Sequence, residues 1–103
     1  MFLICEPVCH EGEHIPFNAG FVSIVRKAFP ESGILFWGEK DHVRELEASL
    51  PSNISESVQF APIAVPHRHA SFSERFHSDR SLIRQLSRKA KAKKKKIVFT
   101  NLP

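Results

Sequence analysis

Residues 5–14 read Cys5-Glu6-Pro7-Val8-Cys9-His10-Glu11-Gly12-Glu13-His14 and hold both cysteines of the chain and two of its six histidines. Such a cluster suits three chemistries: a metal bound by thiolate and imidazole, a phosphate cradled by a glycine-rich turn, or a proton taken by a histidine base. For the first, Cys5, Cys9, His10 and His14 are suitable ligand types, and His67 and His69 add two more. Their spacing matches no structural-zinc pattern, and Cys5 falls inside an apolar run, so no metal is assigned. Nor does a disulfide fit. Two cysteines four apart in an extended segment hold their Cα atoms beyond the ~4.4–6.8 Å that a bridge spans. Reduced thiols are the expectation, in keeping with a cytoplasmic protein.

A dinucleotide site needs several glycines in the first loop and an acidic residue after the second strand. Glu39 could supply the acid, but Gly12 stands alone in that loop. One glycine cannot provide both the tight pyrophosphate turn and the close helix packing, so no cofactor is expected. That leaves the histidines. His14 stands where a helix begins, and an imidazole at the positive end of a helix dipole is suited to acting as a base. Partly exposed loop histidines without a role are an equal alternative for His10 and His14.

A second cluster is purely electrostatic. Arg88-Lys89-Ala90-Lys91-Ala92-Lys93-Lys94-Lys95-Lys96 contains seven of the fifteen Lys and Arg residues and accounts for the formal net charge of +4. The remainder of the chain is near neutral. Cations at a helix end complement its dipole and keep an edge soluble, the first reading of the run. An anionic membrane surface, at ~1 kcal/mol per residue, is the next. No RNA-recognition or helix-turn-helix pattern accompanies the charge, so no specific nucleic acid is expected.

The elements that would position these residues follow from the apolar pattern. At 103 residues, 42% hydrophobic and 25% charged, the chain has the makeup of one globular domain, and its nine Phe and one Trp are expected mostly in the core. Phe2-Leu3-Ile4-Cys5, Ile34-Leu35-Phe36-Trp37, Val58-Gln59-Phe60-Ala61 and Ile97-Val98-Phe99-Thr100 are short apolar runs bounded by turn residues. Runs of that kind are the strands of a parallel sheet covered on both faces. Between them lie helical patterns. The first spans Ile15 to Phe29, with Ile15, Ala19, Val22, Val25 and Phe29 as its core stripe and Asn18 on the polar side. The second is capped by Asp41 and buries Val43, Leu46 and Leu50 until Pro51 ends it. The third is opened by the capping box Ser71-x-x-Glu74, with Phe72, Phe76, Ile83, Leu86 and Ala90 as its apolar face.

The sum is β-α-β-α-β-α-β: one Rossmann-like α/β unit over residues 1–103, a three-layer fold with a parallel sheet of about four strands in the order 3-2-1-4. A sheet left open on its last strand suggests a truncated domain, the N-terminal part of a longer chain, or one whose edge a homo-oligomer covers. In such sheets ligands bind beyond the carboxyl ends of the strands, where strand order reverses. Here that crevice lies between Glu6–His14 and Asn101–Pro103, which makes Gly12, Glu13, His10 and Asn101 candidate binding residues around His14. The opening residues do not read as a signal peptide, and no run approaches the ~18–20 apolar residues of a membrane span.

Strand Phe2-Leu3-Ile4-Cys5, the loop Gly12-Glu13-His14-Ile15-Pro16 and the helix after it together resemble the start of GT-B glycosyltransferases. Phe36-Trp37-Gly38-Glu39-Lys40-Asp41-His42 is similar to some members as well. The loop has one residue fewer before proline than lipid-linked sugar transferases usually carry. The resemblance implies an N-terminal, acceptor-binding domain in an enzyme that moves a sugar from a nucleotide-sugar donor. The donor site would lie mostly on a missing C-terminal domain, and these 103 residues alone would be inactive. By matching position only His14 inherits the role of base on the acceptor hydroxyl, with Gly12 shaping the loop. The resemblance also implies a cytoplasmic enzyme, peripheral at the inner face of a membrane. Arg88, Lys89, Lys91, Lys93, Lys94, Lys95 and Lys96 would be the contacting residues. The alternative is a non-catalytic α/β binding or regulatory module using the same crevice.

Overall fold

The computed structural model describes residues 1–6, 12, 14–63, 71–92 and 97–100. The elements run β1 (Phe2–Glu6), α1 (Ile15–Ala28), β2 (Ile34–Glu39), α2 (Lys40–Ser49), α3 (Ser52–Ser55), β3 (Val58–Ile63), α4 (Phe72–Ala92) and β4 (Ile97–Thr100). This is an α/β fold built on an open parallel sheet. β1 pairs with β2 from Phe2↔Ile34 to Glu6↔Gly38, and β2 with β3 from Ile34↔Val58 to Glu39↔Ile63. β4 runs parallel along the other edge of β1, from Phe2↔Ile97 to Cys5↔Thr100.

Alternation along β1 divides the core into two. Phe2 and Ile4 face Ile15, Val22 and Val25 of α1 and Val43 and Leu46 of α2. Leu3 and Cys5 face the other way, with Leu35, Trp37, Ile63 and Leu82 of α4. Every residue of β1 and β2 is buried, because helices cover both faces. β3 is different. Val58 and Ile63 are buried while Gln59 and Pro62 are exposed. The expected core Val58-Gln59-Phe60-Ala61 is therefore only half a core, since β2 pairs one side of this strand.

The helices depart from expectation in instructive places. α1 buries Ile15, Asn18, Val22 and Val25, so its stripe runs through Asn18 rather than Phe29. Phe29 is the C-cap and half exposed, with its ring 4.8 Å from that of Phe2. α2 starts one residue before Asp41. Its cap is Glu39, whose Oε2 accepts from the Asp41 and His42 amides at 2.9 and 3.0 Å. Asp41 instead bonds Arg44 at 2.9 Å on the surface. Pro51 does end α2, but a four-residue helix, α3, follows at once and buries Ile54.

The capping box of α4 forms as expected. The Ser71 amide donates to Glu74 Oε2 at 3.3 Å and the Glu74 amide to Ser71 Oγ at 3.2 Å. Of the apolar face expected after it, Phe72, Phe76 and Ile83 are exposed, while the side chains of Leu86 and Ala90 lie outside the described ones. Among the described side chains of α4, the one that reaches the core is Leu82. The aromatic content is accordingly less buried than expected: Phe17, Phe29, Phe72 and Phe76 all reach solvent.

At the amino end of the sheet, Arg26 ties two connections together through three carbonyls. Its Nη1 donates to the carbonyls of Pro30 and Ser32 at 3.0 and 2.8 Å, and its Nη2 to that of Ser57 at 2.9 Å.

Candidate functional site

The carboxyl end of the sheet concentrates the buried polar side chains: Glu6 ends β1, Glu39 ends β2, Asn18 lies in the first turn of α1 and His42 in that of α2. They are linked. Asn18 Nδ2 donates to Glu6 Oε2 at 3.3 Å and lies 3.0 Å from His42 Nε2. One amide nitrogen carries two protons. Serving both contacts at once requires His42 Nε2 to accept, which places the ring proton on Nδ1. The imidazole is completely buried and stacks on Phe36 with ring centroids 6.1 Å apart. A buried polar group left without partners costs about 1–3 kcal/mol, so this network fixes how α1 and α2 start relative to β1.

Above it, the first loop is tied down at one described point. The Gly12 amide donates to Glu45 Oε2 on α2 at 2.7 Å. Gly12 has φ +77° with open space where a side chain would be, so backbone conformation alone calls for glycine there. Two residues on, His14 is the N-cap of α1. It is exposed, and it too is left-handed, at φ 53° and ψ 17°. A histidine in that region is uncommon, and such conformations collect at functional sites. His14 caps with its backbone only; its carbonyl accepts from the Asn18 amide at 2.9 Å, and its side chain makes no cap.

The candidate residues therefore divide. Gly12 and His14 lie just before the start of α1, after β1. His10, Glu13 and Asn101 lie outside the described residues, as do Lys93, Lys94, Lys95 and Lys96, and the side chain of Lys89 is likewise undescribed. Arg88 and Lys91 are exposed on α4. Glu39, the acidic residue at the end of β2, has its Oε2 committed to capping α2. Among the described residues no group of three His, Cys, Asp or Glu side chains is placed to hold a metal, and no helix is long and apolar enough to cross a membrane.

Sequence reasoning put Glu6 at the edge of the crevice but missed its link to Asn18 and His42. A signal for Asn18 was present: Ile15, Asn18, Val22 and Val25 step by three, four and three, the spacing of a buried helical stripe. Cys5 belongs to the other face. Its thiol is free and buried, and burial, reinforced by the charge on Glu6, raises it from its ordinary 9.0 to about 12. It is a packed thiol rather than a nucleophile.

Comparison with protein-family models, with curated proteins and with solved structures gave no significant match to any.

Proposed function

We propose that this chain is the N-terminal, acceptor-binding part of a GT-B glycosyltransferase, a Rossmann-like unit with four parallel strands in the order 3-2-1-4. A nucleotide-sugar donor binds mainly to a second domain, and the acceptor hydroxyl lies beyond the carboxyl ends of β1 and β4. The observation that carries this reading is His14: an exposed imidazole held in a left-handed conformation where β1 leads into α1. Open parallel sheets bind their ligands at that end. Gly12, pinned to Glu45, shapes the approach, and His14 takes the proton of the acceptor hydroxyl as the sugar transfers. The buried Asn18 network beneath keeps the start of α1 in place.

The test is turnover by the parent enzyme. His14→Ala lowers it by ~10²–10⁴-fold, the range for loss of a general acid–base group, while His10→Ala costs far less. Full activity in His14→Ala, or an equal loss in His10→Ala, overturns the assignment. Calorimetry on the 103-residue chain supplies a second arm. No binding of uridine or guanosine diphosphate sugars is expected at millimolar ligand, and tight saturable binding would make the chain a nucleotide-binding module instead.

A further inference from the structure

Helix α4 carries an apolar stripe that nothing in the described structure covers. Among its described side chains Leu82 alone is buried, whereas Phe72 is 85% exposed and Phe76 and Ile83 are each 54% exposed. At about 100° per residue these three fall within about 40° of one another and about 100° around the helix from Leu82. The Phe72 and Phe76 rings stack at 6.4 Å, so these two form one apolar patch, and Ile83 lies about two turns further along the same side of the helix.

Its border is cationic. Arg80, Arg84, Arg88 and Lys91 are all exposed, and they occupy the flank about 60–140° from the centre of the stripe. Glu74, the acidic residue among the described side chains of α4, lies about 180° away on the far side, where it accepts from the Ser71 amide.

We propose that α4 lies flat on an anionic lipid bilayer, setting Phe72, Phe76 and Ile83 at the headgroup–acyl boundary and Arg80, Arg84, Arg88 and Lys91 against lipid phosphates. Shape and size favour a bilayer over a protein. Two phenylalanines and an isoleucine so exposed offer on the order of 300–400 Å² of apolar surface, about half of the ~800 Å² per partner in a stable protein interface. The stripe is also convex and one helix wide, which a fluid interface accommodates. An apolar line with basic residues beside it is the pattern of helices that bind in the plane of a membrane. The charge selects anionic lipid; the stripe inserts, which a cluster of lysines alone does not do.

The experiment is vesicle co-sedimentation of the full chain, with phosphatidylglycerol–phosphatidylcholine vesicles against phosphatidylcholine alone. The wild type is expected on the anionic vesicles. Phe72→Ser/Phe76→Ser/Ile83→Ser, with Lys93–Lys96 intact, should weaken binding by about tenfold or more, since each phenylalanine loses its apolar burial. Arg80→Gln/Arg84→Gln should weaken it and flatten its salt dependence. Phe72→Trp gives a direct reading at a position exposed enough to leave folding alone, over the constant emission of the buried Trp37. The emission of this variant should shift to the blue on binding and be quenched by brominated lipid. Undiminished binding by the serine variant, an unshifted spectrum in Phe72→Trp, failure of the wild type to bind, or a dimer abolished by the serine substitutions would each overturn the proposal. The surface is independent of the acceptor reading, so His14→Ala should leave vesicle binding unchanged.

Discussion

Asn18 and His42 lie 3.0 Å apart, amide nitrogen to imidazole Nε2, although 24 residues separate them in the chain. They belong to different helices, and the same Asn18 nitrogen also reaches Glu6 at the end of β1. The start of α1, the start of α2 and the carboxyl end of β1 thus meet at one nitrogen atom.

Asn18→Ala should lower the free energy of unfolding by about 1–3 kcal/mol, because buried polar groups lose a partner. Asn18→Ala/His42→Ala should cost less than the sum of the two single changes, with a coupling of about 0.5–3 kcal/mol expected for side chains in direct contact. Urea denaturation of the four proteins of the cycle measures both. Additive losses would mean that the contact contributes nothing.

Strands and helices were legible in the sequence because their apolar runs have the right lengths and are bounded by Pro, Gly and capping residues, as at Ser71 and Glu74. The polar network was not. A helical stripe read for apolar types passes over Asn18, and nothing local marks His42 as a partner for a residue on another helix. The cap of α2 was misplaced for a related reason. Asp41 is the better capping residue by type, but Glu39, at the end of a buried strand, is held where its carboxylate meets the free amides. The failure on α4 is of another kind. Periodicity identifies an apolar face without saying whether anything lies against it.

Glu39→Ala should reduce stability by about 0.5–2 kcal/mol, the usual cost of losing a helix N-cap. Glu39→Asp should recover little, being one methylene short of the amides it now meets. Thermal melts followed by circular dichroism distinguish these outcomes.

Cys5 gives a pH dependence of known sign. The folded chain keeps the thiol proton that the unfolded chain releases above its ordinary 9.0. Its contribution is therefore complete below about pH 9 and drains away as pH rises toward about 12. The stability gap between the wild type and Cys5→Ala should narrow across that window. In a Cys9→Ser background, native Cys5 should also resist iodoacetamide at neutral pH and react once urea unfolds the chain.

His14→Gly separates role from fold. The left-handed conformation costs a residue with a side chain roughly 1–2 kcal/mol, a cost that glycine avoids. The variant should unfold at an unchanged or higher denaturant concentration, and under the proposed acceptor-domain reading it should also lose transferase turnover. A large drop in stability would make His14 a structural residue.

Arg26 divides the molecule into a fixed end and a permissive one. Its guanidinium takes its bearings from Pro30, Ser32 and Ser57, so the routes into β2 and β3 share one reference point. An insertion at that end shifts all three at once. At the opposite end β1 and β2 finish in Glu6 and Glu39, and the Asn18 network secures the starts of α1 and α2 beside them. Loop-exchange libraries should therefore yield folded proteins when they vary the carboxyl-end loops and few when they vary the Arg26 end. A scaffold so polarised can be given new ligands without relearning how to fold.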